Sequence, residues 1–99
     1  MSVEEIRSAL RGVIDPELGI NIVDLGLIYD IAIAGNDIGV VMTMTTPSCP
    51  MGEYLTDSVE RALSLSFPHT RVGIDMVWEP AWTPDRISEQ GRKDLDAGA

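Results

Sequence analysis

The chemistry available to this chain centres on one sulfur. Cys49 is its only cysteine and sits in Thr45-Thr46-Pro47-Ser48-Cys49-Pro50-Met51-Gly52. Pro50 suits the first position of a helix, where its missing N–H is not needed. Cys49 would then be the N-cap, its sulfur facing the free N–H groups of the first turn. A helix N-terminus favours negative charge and therefore thiolate over thiol. Thiolate is the form that binds metals and attacks electrophiles.

The residue set restricts what that thiolate can do. Structural zinc and ordinary iron–sulfur clusters usually take four protein ligands, and there is no second cysteine. The one histidine, His69, follows Phe67-Pro68 beyond the second helix. That is roughly 25 Å from Cys49 at about 1.5 Å per helical residue. A site shared by these two within one chain is not expected, and Cys–His catalysis needs contact between them. A cluster on Cys49 would need ligands from a second copy, a partner protein or a small thiol. Such a site would be open and suited to transfer. The competing interpretation is an inert, buried cysteine acting as a small hydrophobe.

Asp15, Glu17 and Asp24 lie in the stretch 15–26. They can serve as turn and cap residues, or as a polar rim that orients a cation or partner. Met42, Met44 and Met76, at strand spacing, are expected in the core. Trp78 and Trp82 are expected as core or lid packing.

The elements that must position these groups follow from periodicity. Ser2 with Glu5 has the spacing of a capping box, and Val3, Ile6, Leu10 and Val13 predict a helix over 3–13. Asp15-Pro16 ends it, because proline disfavours the α region in the residue before it. The loop 15–26 is long, and its apolar residues predict that it packs down on the body. Leu27, Tyr29, Ile31 and Ile33 predict one face of a strand over 27–34; Gly35-Asn36-Asp37 is a turn. Ile38, Val40, Met42 and Met44 mark a second strand over 38–45, antiparallel to the first. Met51, Leu55, Val59, Ala62 and Leu63 line a helix over 50–66. Val72, Ile74, Met76 and Trp78 mark a third strand over 72–78. A short polar helix should begin near Arg86, with 94–99 frayed. The expected architecture is a single α+β domain over 1–99 in the order α-β-β-α-β-α. It is a two-layer sandwich in which helices cover a three-stranded mixed sheet.

A chain of 99 residues with net charge −9 and 44% hydrophobic content suits one globular domain. The charge argues against a nucleic-acid partner, since phosphate contacts need clustered Lys and Arg. An acidic surface suits solubility, cation attraction or a basic partner. One cysteine excludes an internal disulfide. Neither a signal peptide nor an apolar run of about 18 residues is visible, so no membrane span and a reducing, cytoplasmic setting are expected.

Four ordered segments carry a family resemblance: Asp15-Pro16-Glu17; Asn21-Ile22-Val23-Asp24-Leu25-Gly26-Leu27-Ile28-Tyr29; Thr45-Thr46-Pro47-Ser48-Cys49-Pro50; and Trp78-Glu79-Pro80-Ala81-Trp82-Thr83-Pro84. Together they resemble the SufT/PaaD-like, metal-sulfur cluster biosynthetic family, over roughly residues 3–90. The chain is similar to minimal, stand-alone members, without the cysteine-rich C-terminal segment of the phenylacetate-oxidation accessory proteins. The resemblance implies a role in maturing iron–sulfur proteins, with the family's reactive cysteine at Cys49, its acidic loop at Asp15, Glu17 and Asp24, and its threonine at Thr45, gathered into one pocket. The partners it implies are iron–sulfur assembly proteins and client apoproteins, and a homodimer could supply a second sulfur. The cofactor it implies is a transient iron–sulfur cluster or iron, with Cys49 as the metal ligand and nothing tightly bound within one chain. An assembly or targeting factor without turnover is the leading expectation. The alternatives are an enzyme forming a persulfide or thioester on Cys49, or a pure protein-interaction module.

Overall fold

Two helices and a three-stranded sheet enclose the aliphatic side chains. The computed structural model describes residues 1–16, 18–45 and 52–97, the last three by backbone alone. Glu17 and residues 46–51, with Cys49 and the proposed cap and helix start at Pro50, lie outside the described residues.

Helix α1 spans Val3–Leu10, and the Ser2 hydroxyl caps it by accepting from the Glu5 N–H at 3.2 Å. The helix stops three residues short of the expected Val13. The Gly12 and Val13 N–H groups donate to the Ala9 and Leu10 carbonyls, a tighter turn that ends the α pattern at a glycine. Val13 stays buried all the same, reached from the loop side.

Strand β1 (Ile28–Ala34) pairs antiparallel with β2 (Asp37–Met42), which pairs in parallel with β3 (Arg71–Met76). The sheet is open and mixed, with β2 in the centre. Between β2 and β3 the chain crosses over through α2 (Gly52–Ser66). Helices α1 and α2 pack on each other, α1 against β1 and α2 against β3, so both cover the same face. The buried set comprises Ile6 and Leu10 from α1, Ile31, Ile38, Val40 and Met42 from the sheet, and Leu55, Val59 and Leu63 from α2.

Three strand expectations change: β2 ends at Met42 and not at Thr45, because its ladders with β1 and β3 both stop there. The β1 register shifts between Ile28 and Asp30, and this bulge puts Ile28 in the core and leaves Tyr29 half-buried. Period-two alternation alone assigned Tyr29 to the inner face. Strand β3 ends at Met76, where its partner β2 also ends, leaving one further backbone bond from Val77 N–H to the Met42 carbonyl. Trp78, expected in core or lid packing, therefore leaves the sheet and is 42% exposed, outside the core. Trp82 packs against the core, and its indole N–H donates to the Leu25 carbonyl at 2.7 Å. A 3₁₀ turn at Pro84–Arg86 precedes helix α3 (Glu89–Ala97), which starts later than Arg86 and includes residues 94–97. Among the described residues, no helix is long and apolar enough to cross a membrane.

Leu63 is fully buried where α2 meets the core. Leu63→Ala should lower stability by about 2–5 kcal/mol in urea unfolding. A loss below about 1 kcal/mol would contradict this packing.

Candidate functional site

The long loop is built as a second, smaller layer of hydrogen bonds on the core. Ile22 N–H donates to the Val13 carbonyl and Asp15 N–H to the Ile20 carbonyl, closing a bridge between Ile14 and Asn21. Ile20, Ile22, Leu25 and Leu27 bury their side chains beneath it. The expectation that this loop packs down is met, because burying each such side chain is worth about 1.5–3 kcal/mol.

Asp15 is buried at the root of this loop. Its Oδ1 accepts from Leu18 N–H at 3.2 Å, and its carbonyl accepts from Gly19 N–H at 2.8 Å. Gly19 has φ +72°, a left-handed conformation that glycine adopts without Cβ strain. Asp15 thus holds the backbone of Leu18 and Gly19.

Asp24 is the hub of a second knot. Its Oδ2 accepts from Asn21 Nδ2 at 2.7 Å, and its N–H donates to Asn21 Oδ1 at 2.9 Å. Its Oδ1 accepts from the Ser88 hydroxyl at 3.0 Å, and its carbonyl from Ser88 N–H at 2.7 Å. Ser88 also accepts from Gly91 N–H at 3.0 Å, capping α3. A Cβ on Gly91 would lie 3.0 Å from the Asp24 carbonyl oxygen, so glycine permits this approach. At Gly26, where φ is +80°, a Cβ would collide with the Arg86 carbonyl. Around the same corner, the Tyr29 hydroxyl donates to the Pro80 carbonyl, and the Arg86 guanidinium lies 4.6 Å from the Tyr29 ring centre. The segment 21–29 is therefore gripped by the tail.

The stretch leading to the cysteine segment is tied to the same loop. Thr43 N–H donates to the Leu27 carbonyl at 2.9 Å, while Met42 and Met44 are buried on either side. Thr45 is half-buried two residues on, the last described residue before the segment that holds Cys49. Thr43 is itself buried, and its Oγ1 has no hydrogen-bond partner among the described residues. Beyond the segment, α2 begins at Gly52, and its 15 residues, spanning about 22 Å, separate it from His69.

Of the sequence-predicted site residues, Asp15 and Asp24 belong to one loop, and Thr45 follows a strand end bonded to that loop. The Asp24 carboxylate is directed to Asn21 and Ser88. Glu17 and Cys49 lie outside the described residues. Sequence reasoning missed Asn21 and Ser88 as partners of Asp24; the spacing Asn21-x-x-Asp24 signals the first, and no local spacing signals the second. Among the described residues, no group of three His, Cys, Asp or Glu side chains could hold a metal ion.

Residues 3–75 match the family model described as iron-sulfur cluster assembly protein, and the chain belongs to that family. It is 37% identical to the Fe-S protein maturation auxiliary factor YitW of Bacillus subtilis, across 90% of this chain and 88% of that protein. It is 40% identical to the Fe-S protein maturation auxiliary factor SufT of Staphylococcus aureus, across 81% of this chain and 92% of that one. Its fold is similar to the crystal structure of a domain of unknown function from Bacillus anthracis, with a TM-score of 0.90 and 36% identity, covering 94% of this chain and 90% of that chain.

Ser88→Ala should remove the α3 cap and one Asp24 bond at a cost of about 1 kcal/mol. Amide exchange at Gly91 should then quicken about fivefold, with β1 and β2 amides unchanged. Unaltered exchange at Gly91 would show that the tail is held by other means. Thr43→Val replaces the unpartnered hydroxyl by a methyl of similar size. Thermal unfolding should show a neutral change or a gain of about 1 kcal/mol; a loss above about 2 kcal/mol would mean that the hydroxyl is satisfied in solution.

Proposed function

We propose that this protein is an iron–sulfur cluster assembly or targeting factor that works through Cys49. The family match across residues 3–75 carries the reading, since that span contains Cys49, Thr45 and the acidic loop. The cluster, or iron, is cargo. Cys49 holds or receives it through the thiolate and completes the ligand sphere with groups from a partner. A single thiolate with no second cysteine in its own chain binds openly, and open binding favours release. The relatives' role, maturation of Fe-S proteins, supports client apoproteins and assembly proteins as the partners. The acidic surface, with a net charge of −9, suits docking of basic partner surfaces.

The described frame supports this use of the sulfur. The cysteine segment is joined at one end to β2, through Met42 and Met44, and at the other to α2, through Leu55. Those three side chains are buried. The acidic loop is bonded to the first of those ends at Thr43. Such anchoring fixes the two described ends of the segment.

The test is Cys49→Ala in cells under iron limitation. Client iron–sulfur enzymes should lose activity while protein abundance stays unchanged. Full client activity in that variant would remove Cys49 from the mechanism.

A further inference from the structure

Helix α2 presents Tyr54, Ser58, Arg61 and Leu65 along one line of its surface, at the spacing that keeps helical residues on one face. That line runs about 16 Å, or about three turns. It forms one wall of a groove of about 350 Å³, and Gly12, Val13 and Ile14, which follow α1, form the other. Large apolar side chains stand in water here: Ile14 is 45% exposed, Tyr54 52% and Leu65 78%. Clustered exposure of this kind marks an interaction surface.

The charges at the groove select what it takes. The chain has seven basic residues against 16 acidic ones. Among the described residues, carboxylates engage Arg7, Arg71 and Lys93. The Tyr29 ring engages Arg86, and the Ile87 and Pro84 carbonyls engage Arg92. The two cations left over are Arg61, between Ser58 and Leu65 on the α2 wall, and Arg11, which precedes Gly12 at the opposite wall. No carboxylate lines the groove among the described residues. Asp57 stands one turn before Arg61, on the adjoining face, and makes no ion pair with it. An apolar groove that gathers both uncommitted cations of an acidic chain is complementary to an acidic, apolar ligand and unfavourable to a basic one.

We infer that this groove docks an acidic amphipathic helix of a partner protein. The pattern along α2 sets the pattern of the occupant. Its apolar side chains, about three turns apart, seat against Tyr54 at one end and Leu65 at the other, with Ile14 on the facing wall. Carboxylates between them meet Arg61 and Arg11. A guanidinium pairs with a carboxylate through two parallel N–H···O bonds, so these contacts fix orientation as well as adding attraction. At about 0.15 M salt, charges more than about 8 Å away are largely screened. The cations of the groove, and not the net charge of −9, therefore govern the contact. This surface goes beyond the iron–sulfur reading and does not use Cys49.

The experiment is a titration of the reduced, isotopically labelled protein with a synthetic helical peptide, followed by amide chemical shifts. The peptide carries leucines every three or four residues on one face and glutamates beside them. No iron or sulfide is present, so the outcome is independent of the Cys49 test. Amides of residues 12–14 and 58–65 should shift saturably, with a Kd between about 10 μM and about 1 mM. Glutamine in place of the glutamates should weaken binding at least about fivefold, and lysine should abolish it. Arg61→Glu and Leu65→Glu, both exposed, should each weaken binding at least about tenfold with unchanged circular dichroism. Ala32→Glu, on the sheet face away from the helices, should bind like the parent. Absence of groove shifts, equal binding of the glutamine or lysine peptide, or binding indifferent to both groove variants would overturn the assignment. Groove shifts that appear on raising the protein concentration alone would also overturn it, in favour of a second copy.

Discussion

Everything positioned near the cysteine segment depends on one constraint: the connecting loop is part of the hydrophobic core. Val13, Ile20, Ile22, Leu25 and Leu27 are buried in the same cluster as Leu55 and Val40. A loop of this length that only bridged two elements would carry unpaired backbone groups and would move. Here each apolar side chain turned inward fixes the backbone between it and the next, and the polar groups on that backbone find partners nearby. Asp15 and Asp24 sit on the backbone that this arrangement fixes.

The constraint spreads through two short connections. The bond from Thr43 to the Leu27 carbonyl couples the loop to the end of β2, from which the chain leaves toward Cys49. The bonds from Ser88 and Trp82 to Asp24 and Leu25 couple it to the tail. The tail thus acts as an outer brace, with glycines at positions 26 and 91 allowing close backbone approach. The described ends of the cysteine segment are thus anchored in the core, on β2 and on α2.

Much of this was legible in the sequence. Period-two and period-3.6 patterns gave the element order, and the inward residues of β2 and α2 matched them because hydrophobic burial on one face sets those periods. The family motifs pointed to the iron–sulfur assembly family, which the match over residues 3–75 bears out. Three features were not legible. The β1 bulge breaks alternation through a backbone register shift that no residue type announces. Trp78 looked like a core residue because its spacing continued β3, but the partner strand ends first. The Asp24–Ser88 clasp joins residues 64 apart in sequence, and short-range spacing carries no information about such a contact.

The central claim is that Cys49 handles iron or a cluster as cargo. Anaerobic reconstitution of the purified protein with iron, sulfide and a small thiol, followed by visible absorption, tests it most directly. The account predicts a cluster absorption that disappears on addition of a chelator and is absent in Cys49→Ser. Equal absorption from the parent and Cys49→Ser would contradict it.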